Sequence, residues 1–220
     1  RKEIVVMRSG DETLHAFDLS GAALWQAEVP AYTPESTPVL ADLDGDGKLE
    51  VLVAASNAIY LFEGDGSLFI PSLIGFPDGT DARAPAVGDV DGNGSPEIAV
   101  VAQSVANSAH SHVYLFTANG IEYPGAWPVE VETIISADPI IGDIVPSHEK
   151  MEVIAAGENG RVYAWAWDGL PCFSFAEEPV PGVVKASPVL ANLDRDGYLD
   201  AIIVSQAMSF EEEMWHGEAH

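Results

Sequence analysis

One pattern recurs along this chain at a spacing that few architectures accept. Asp42, Asp44, Asp46 and Glu50 occupy positions one, three, five and nine of the acidic segment that ends ADLDGDGKLE. The pattern returns in GDVDGNGSPE with Asp89, Asp91, Asn93 and Glu97, and in ANLDRDGYLD with Asn192, Asp194, Asp196 and Asp200. A fourth version, Asp143 to Glu152, is damaged: Val145 and Ser147 replace the middle acids, and one residue is added before Glu152. The first positions of the four turns lie 47, 54 and 49 residues apart, a period that suits the blades of a propeller better than the helix pairs of a solenoid.

The order of elements inside one period is constant. A short apolar strand such as Thr37 to Leu40 enters the acidic turn, and a second apolar strand, Val51 to Ala55, leaves it. A third strand ends in an aromatic residue (Ile59 to Phe62, Val113 to Phe116, Val162 to Trp165), followed by a glycine turn and a less regular fourth strand. This order predicts an all-β chain of four-stranded antiparallel meanders. Glu3 to Met7 fits a second strand and Leu14 to Phe17 a third, while Ile202 to Val204 fits a second strand near the other end. The reading is one β-propeller domain or fragment: a partial blade over 1–31, blades over about 37–80, 84–131 and 137–181, and a partial blade over 187–220. The aromatics Tyr60, Phe62, Tyr114, Phe116, Tyr163 and Trp165 recur at matching positions and are expected to pack between blades.

Four carboxylates in nine residues repel one another unless a cation sits among them. Calcium takes six to eight oxygens in flexible geometry, which alternate acids in a tight turn supply, together with a backbone carbonyl at position seven. The candidate ligands are Asp42, Asp44, Asp46, Lys48 (through its carbonyl) and Glu50; Asp89, Asp91, Asn93, Ser95 (carbonyl) and Glu97; and Asn192, Asp194, Asp196, Tyr198 (carbonyl) and Asp200. Gly47 gives the first loop freedom to fold around an ion. An EF-hand would place its last acid at position twelve and flank the loop with helices, whereas here the acid at nine runs straight into Val51, Leu52 and Val53. About three structural Ca²⁺ ions are therefore expected, with the turn at Asp143 empty. The competing reading of a single such segment is a solvated acidic turn without metal.

The formal net charge of -26 makes nucleic acid and anionic membrane surfaces poor partners, and no apolar stretch is long enough for membrane insertion. The single cysteine, Cys172, rules out an internal disulfide framework and reads as a small core filler. The sequence starts at Arg1 without a signal-like segment, which we expect to reflect processing or trimming. Localisation is then argued from chemistry, and calcium modules binding at about 10⁻⁴ to 10⁻³ M belong outside the cytosol.

The turns in the settings PVLADLDGDG, PAVGDVDGNG and PVLANLDRDG resemble FG-GAP/VCBS-type repeats, the calcium-bearing blades of integrin-α-like propellers. The resemblance implies calcium at the matching positions, a complete domain commonly of seven blades, and work outside the cytoplasm: at the cell surface, as a secreted protein, or in the periplasm. The expected role is a non-catalytic scaffold that binds a protein or glycan. The alternative is the propeller portion of a secreted polysaccharide-active enzyme, a lyase or hydrolase. No nucleophile elbow, zinc-protease helix or phosphate loop is present in the sequence. Turns alternate between faces in a meander, so partner binding is expected on the face opposite the calcium turns. Two long segments fall there: Gln103 to His112, with His110 and His112, and Gln206 to His220, with Trp215 and His216.

Overall fold

The computed structural model describes residues 3–8, 12–29, 36–76, 78–145, 150–175, 179–195 and 198–206. Among them the regular structure is β-strand throughout. The first sheet is a meander of β1 (Glu3–Arg8), β2 (Thr13–Asp18) and β3 (Ala23–Glu28). The second runs β4 (Val39–Ala41), β5 (Glu50–Ala55), β6 (Ala58–Phe62) and β7 (Leu68–Gly75) in spatial order.

The third sheet holds β8 (Gly79–Thr80), β9 (Ala86–Gly88), β10 (Glu97–Ser104), β11 (Ser111–Thr117) and β12 (Val129–Val131). Here β8 and β9 share one edge of β10, with Thr80 opposite Gln103 and Val87 opposite Ile98. The fourth sheet is β13 (Ile140–Gly142), β14 (Glu152–Ala156), β15 (Val162–Trp165) and β16 (Pro171–Phe175). Two short ladders follow, in which β17 (Val183–Val184) pairs β20 (Ser205–Gln206) and β18 (Val189–Ala191) pairs β19 (Asp200–Ile202). They repeat the split first strand of the third sheet. The second strand expected over Ile202 to Val204 is consequently divided, with Ile203 and Val204 between its two halves.

The second strand of each unit is apolar at nearly every position because both of its faces are covered. In β5, Val51, Val53 and Ala55, together with Phe62 of β6, pack with Leu14 and Val29 of the first unit. Leu52, on the other face, packs with Ile98, Val100 and Tyr114 of the third sheet. The alternation repeats in β10, where Ala99 and Val101 face Val153 and Trp165 of the fourth sheet. It repeats again in β14, where Ile154 and Ala156 face Val184 and Leu190. Four apolar seams therefore join the successive sheets face to face, each buried Val, Leu or Ile contributing about 1.5 to 3 kcal/mol relative to exposure. The recurring aromatics lie in these seams: Tyr114 and Phe116 stack 5.9 Å apart, and Tyr163 and Trp165 5.8 Å apart. Cys172 packs against the fourth seam, where burial pushes its thiol up to about 12.

Further links join sheets at one point along the chain. Asp138 Oδ1 accepts the Ala84 N–H at 3.0 Å, and the Asp138 N–H donates to Ser187 Oγ at 3.0 Å. Ala84, Asp138 and Ser187 each precede a proline that opens a first strand, so this polar chain ties three successive units at equivalent places.

Candidate metal centres in the inter-strand turns

The connection from β4 to β5 is bent by its own side chains. Asp42 Oδ1 and Oδ2 accept the Gly45 and Gly47 N–H groups at 2.7 and 3.0 Å, Asp44 accepts from Asp46 at 3.0 Å, and Asp46 from Lys48 at 2.7 Å. The turn from β9 to β10 repeats this: Asp89 accepts from Gly94 at 2.9 Å, Asp91 from Asn93 at 2.9 Å, and Asn93 from Ser95 at 2.7 Å. Side chains at positions one, three and five thus bond backbone further along the turn, the local bonding that favours Asp and Asn there. Positions four and six take the left-handed conformation, with φ of +78° and +83° at Gly45 and Gly47 and +72° and +89° at Gly92 and Gly94. A side chain would meet nothing within 4 Å at any of the four. These glycines serve the backbone angle, not space.

Within this frame the structure brings together Asp42, Asp44 and Glu50, and separately Asp89, Asp91 and Glu97. In each group one carboxylate oxygen from each of the three residues lies within 4.8 Å of the other two. The remaining members of each turn lie beside them. Asp46 pairs with the Lys48 ammonium, whose hydrogen bond holds the Asp46 carboxyl below its usual range. Asn93 donates from its amide nitrogen to Asp91 Oδ2 at 2.8 Å. In the third turn, Asn192 Oδ1 accepts the Arg195 N–H at 2.6 Å, with Arg195 at φ +67° where the other turns have glycine. Asp194, Tyr198 and Asp200 are described; Asp196 lies outside the described residues.

The acid at position nine has a function of its own. Glu50 Oε2 accepts the Leu43 N–H at 2.7 Å, Glu97 Oε2 the Val90 N–H at 2.8 Å, and Asp200 Oδ2 the Leu193 N–H at 2.8 Å. In the damaged turn Glu152 Oε2 still accepts the Ile144 N–H at 3.0 Å. Each acid latches the start of its turn to the head of the second strand. Glu50, Glu97 and Glu152 are each only 1% exposed. Burial, opposed in part by the Val90 N–H and reinforced by nearby aspartates, pushes Glu97 up to about 7 and shifts Glu50 in the same direction. Burial also works to raise Asp91, but the Tyr123 hydroxyl and Asn93 together outweigh it and hold that carboxyl below its usual range.

Whether these residues suit a hard cation is tested by their unused oxygens. Glu50 Oε1 and Asp89 Oδ1 are buried and without a hydrogen-bond partner, a costly state for a carboxylate oxygen unless a cation meets it. Oxygen-only groups of three carboxylates suit calcium or magnesium over softer metals, and the loop geometry favours the larger ion. Asp143 Oδ1 is likewise buried without a partner. The damaged turn differs at position three, where Val145 is apolar and buried; residues 146–149, Ser147 included, lie outside the described set.

The candidate partner residues fall as follows. Gln103, Ser104, Ser111 and His112 are strand residues, with Gln103 opposite Ser111 and Ala102 opposite His112. The long loop expected over Gln103 to His112 therefore shortens to Val105–His110, because ladder pairing continues past the apolar run. His110 Nδ1 lies 2.9 Å from Glu130 Oε1, and the His112 ring lies 5.8 Å from Tyr114. Trp215 and His216 lie outside the described residues.

Three participants were not singled out from sequence. The Trp25 indole N–H donates to the Gly64 carbonyl of the next sheet at 2.9 Å, and Trp127 donates to the Trp167 carbonyl at 2.9 Å. Gly64 and Trp167 each lie two residues after the third-strand aromatic, so this is one repeated contact. Gly66 is required there, since a Cβ on it would approach Trp25 to 2.6 Å. Tyr123 donates its hydroxyl to Asp91 Oδ2 in a close hydrogen bond. A cleft of about 570 Å³ opens between the first two turns, lined by Asp44, Asp91, Asn93, Glu97, Asn119 and Tyr123 among others. The acidic turns and the turn after the third strand thus share one face.

Stacked four-stranded meanders with an acidic turn between first and second strands define a repeat β-propeller. Residues 42–100, the first two intact turns and the blade between them, match the model of the FG-GAP-like repeat. The chain is a repeat β-propeller in fold, and the similarity to the FG-GAP-like repeat covers residues 42–100 of it. Solved structures agree on the fold. The C-terminal domain of Pseudomonas aeruginosa PilY1 superposes with a TM-score of 0.59 at 16% identity, over 91% of this chain and 51% of that one. The V. cholerae biofilm matrix protein Bap1 gives 0.55 at 18% identity, over 82% and 27%. BamB from Moraxella catarrhalis gives 0.50 at 15% identity, over 88% and 49%. The chain thus spans about half the length of the PilY1 and BamB structures and about a quarter of Bap1. Comparison with curated protein sequences finds no match. Among the described residues no helix is long and apolar enough to cross a membrane.

Proposed function

We propose that this protein is a calcium-stabilised extracellular propeller that acts as a non-catalytic scaffold for a protein or glycan ligand. The observation that carries the calcium part is the pairing of two carboxylate triads with two buried, partnerless oxygens, Glu50 Oε1 and Asp89 Oδ1. Calcium, held by Asp42, Asp44 and Glu50 or by Asp89, Asp91 and Glu97, would supply the positive charge that these clustered oxygens lack. The chain's part is to hold the acids close before binding: hydrogen bonds within the turn fix positions one to five, and the position-nine latch fixes the buried acid against the second strand. An ion that binds only the folded turn adds about 1.4 kcal/mol per site at tenfold excess over its dissociation constant. Affinities of about 10⁻⁴ to 10⁻³ M match calcium outside the cytosol, which supports a secreted, cell-surface or periplasmic setting.

The scaffold part draws support from the fold and from the description of one structural neighbour as a biofilm matrix protein. The ligand face is the one opposite the acidic turns, with His110 and His112 as candidate contacts; Trp215 and His216, the other candidates, lie outside the described residues. Thermal melting in chelator and in millimolar calcium tests the ion reading, and glycan and protein arrays probed at both conditions test the scaffold. Equal melting temperatures in the two buffers would overturn the first, and arrays without a specific ligand the second.

A further inference from the structure

The two best-described turns are not equivalent in what surrounds their position-three acid. Asp44 accepts a hydrogen bond from within its own turn, the Asp46 N–H at 3.0 Å. Asp91 accepts the corresponding Asn93 N–H and, in addition, the Tyr123 hydroxyl from the segment before β12. Tyr123 is 9% exposed, and its ring meets Trp167 of the fourth sheet edge to face at 6.4 Å. The Lys150 ammonium lies 4.1 Å over Trp167, and the backbone of Trp167 is held by the Trp127 indole. A continuous set of contacts therefore runs from the second acidic turn, through Tyr123, to the fourth sheet. Tyr123 stands seven residues after the third-strand aromatic Phe116; the same offset falls on Phe69 after Phe62 and on Cys172 after Trp165. Neither offers a phenolic hydroxyl; Asp44 accepts only from within its own turn and the damaged turn has Val145 at position three, so the arrangement is particular to the second of these three turns.

We propose that Tyr123 is a positioning residue for the ion of the Asp89–Glu97 turn, and that through Trp167 it couples occupancy of that turn to the seam between third and fourth sheets. The proposal rests on the calcium reading above. A carboxylate oxygen that already accepts one fixed hydroxyl loses rotational freedom before the ion arrives, and outer partners of this kind are worth about 10- to 100-fold in metal affinity. Asp91 Oδ2 also accepts the Asn93 amide and Oδ1 the Asn93 N–H, so these bonds together fix a carboxylate that has one oxygen within 4.8 Å of oxygens from Asp89 and Glu97. The edge-to-face contact turns this restraint into a two-way one: anything that fixes Tyr123 also fixes Trp167.

The test uses the full chain and calcium alone. Calorimetric titration of the native protein and of Tyr123→Phe, which keeps the ring and removes the hydroxyl, is combined with calcium-dependent indole emission. Tyr123→Phe should weaken one class of site by about 10-fold and leave the others unchanged; Asp44→Ala, made in both backgrounds, identifies which class belongs to the first turn. The calcium-induced change in emission should disappear in Trp167→Phe and shift to higher calcium in Tyr123→Phe. Melting of Tyr123→Phe in chelator reports the fold separately. Unchanged isotherms for Tyr123→Phe, or a uniform shift of every class, would overturn the proposal while leaving the ion reading intact. An absence of calcium binding in the native chain would overturn both.

Discussion

The intact turns at Asp42 and Asp89 and the damaged one at Asp143 keep different parts of the same device. All three retain the latch from the acid at the head of the second strand to the N–H at position two, at 2.7, 2.8 and 3.0 Å. Only the first two keep the acid at position three, where the damaged turn buries Val145. The comparison separates two jobs that a cluster of carboxylates conceals. One acid per turn closes the backbone whether or not a cation is bound, and on the proposed calcium reading that same acid joins those at positions one and three around the ion in the intact turns.

That separation breaks most visibly at Glu152. Replacing it with Ala leaves the Ile144 N–H buried and unpaired, and we expect about 2 kcal/mol of destabilisation that is the same in chelator and in calcium. Glu152→Gln keeps an acceptor and should be close to neutral, whereas Glu50→Gln should keep its latch in chelator and lose calcium stabilisation. Melting curves for the three variants in both buffers check this. A calcium-dependent effect at Glu152 would mean that the damaged turn also holds an ion.

A smaller effect is expected from Asp44→Ala. It should cost about 1 to 1.5 kcal/mol in millimolar calcium through lost binding and well under half of that in chelator, because Asp44 anchors only an exposed N–H. Partner binding should persist wherever the fold persists, measured on whatever ligand the arrays identify. Loss of binding in a folded Asp44→Ala protein would move recognition onto the acidic face.

The pH dependence of the metal-free protein sharpens the comparison further. Glu97 is held at about 7 against an ordinary value of 4.5, chiefly by burial. A carboxyl raised in the folded state favours folding while protonated. That contribution is complete below about pH 4.5 and is lost as pH rises through about 7. In chelator, stability should therefore fall between pH 5 and pH 8, by no more than about 1.4 kcal/mol per pH unit. Calcium should flatten the profile. Melting temperatures that rise with pH in chelator would contradict the assignment.

The smallest effect concerns the third turn. Arg195 occupies at φ +67° the position that Gly45 and Gly92 fill, and Arg195→Gly should raise stability by about 0.5 to 1 kcal/mol by removing backbone strain, as read by denaturant midpoint.

Much of this was legible in the sequence because a repeat writes the same rule several times. The period predicted stacked four-stranded antiparallel meanders, and the unbroken run Val51 to Ala55 read as a buried strand. The latch was hidden because Glu50 at position nine reads equally well as a ligand; only its contact with Leu43 N–H separates the uses. Tyr123, Trp25 and Trp127 were hidden for another reason. Trp25 follows its turn glycine, Gly21, by four residues, and Trp127 follows Gly120 by seven. Irregular fourth strands absorb the difference, so a contact constant in space has no constant spacing along the chain. The extent of β10 and β11 beyond the apolar run was likewise set by pairing of polar residues, Gln103 with Ser111, which carries no hydrophobic signal.

The central claim is that the intact turns bind calcium and the damaged one does not. Equilibrium dialysis against radioactive calcium at millimolar free ion counts the sites directly. The account predicts saturable binding of about three ions per chain, falling to about one in the Asp44→Ala, Asp91→Ala double variant and unchanged in Glu152→Gln. Weak, non-saturating uptake that the double variant leaves unaltered would contradict it.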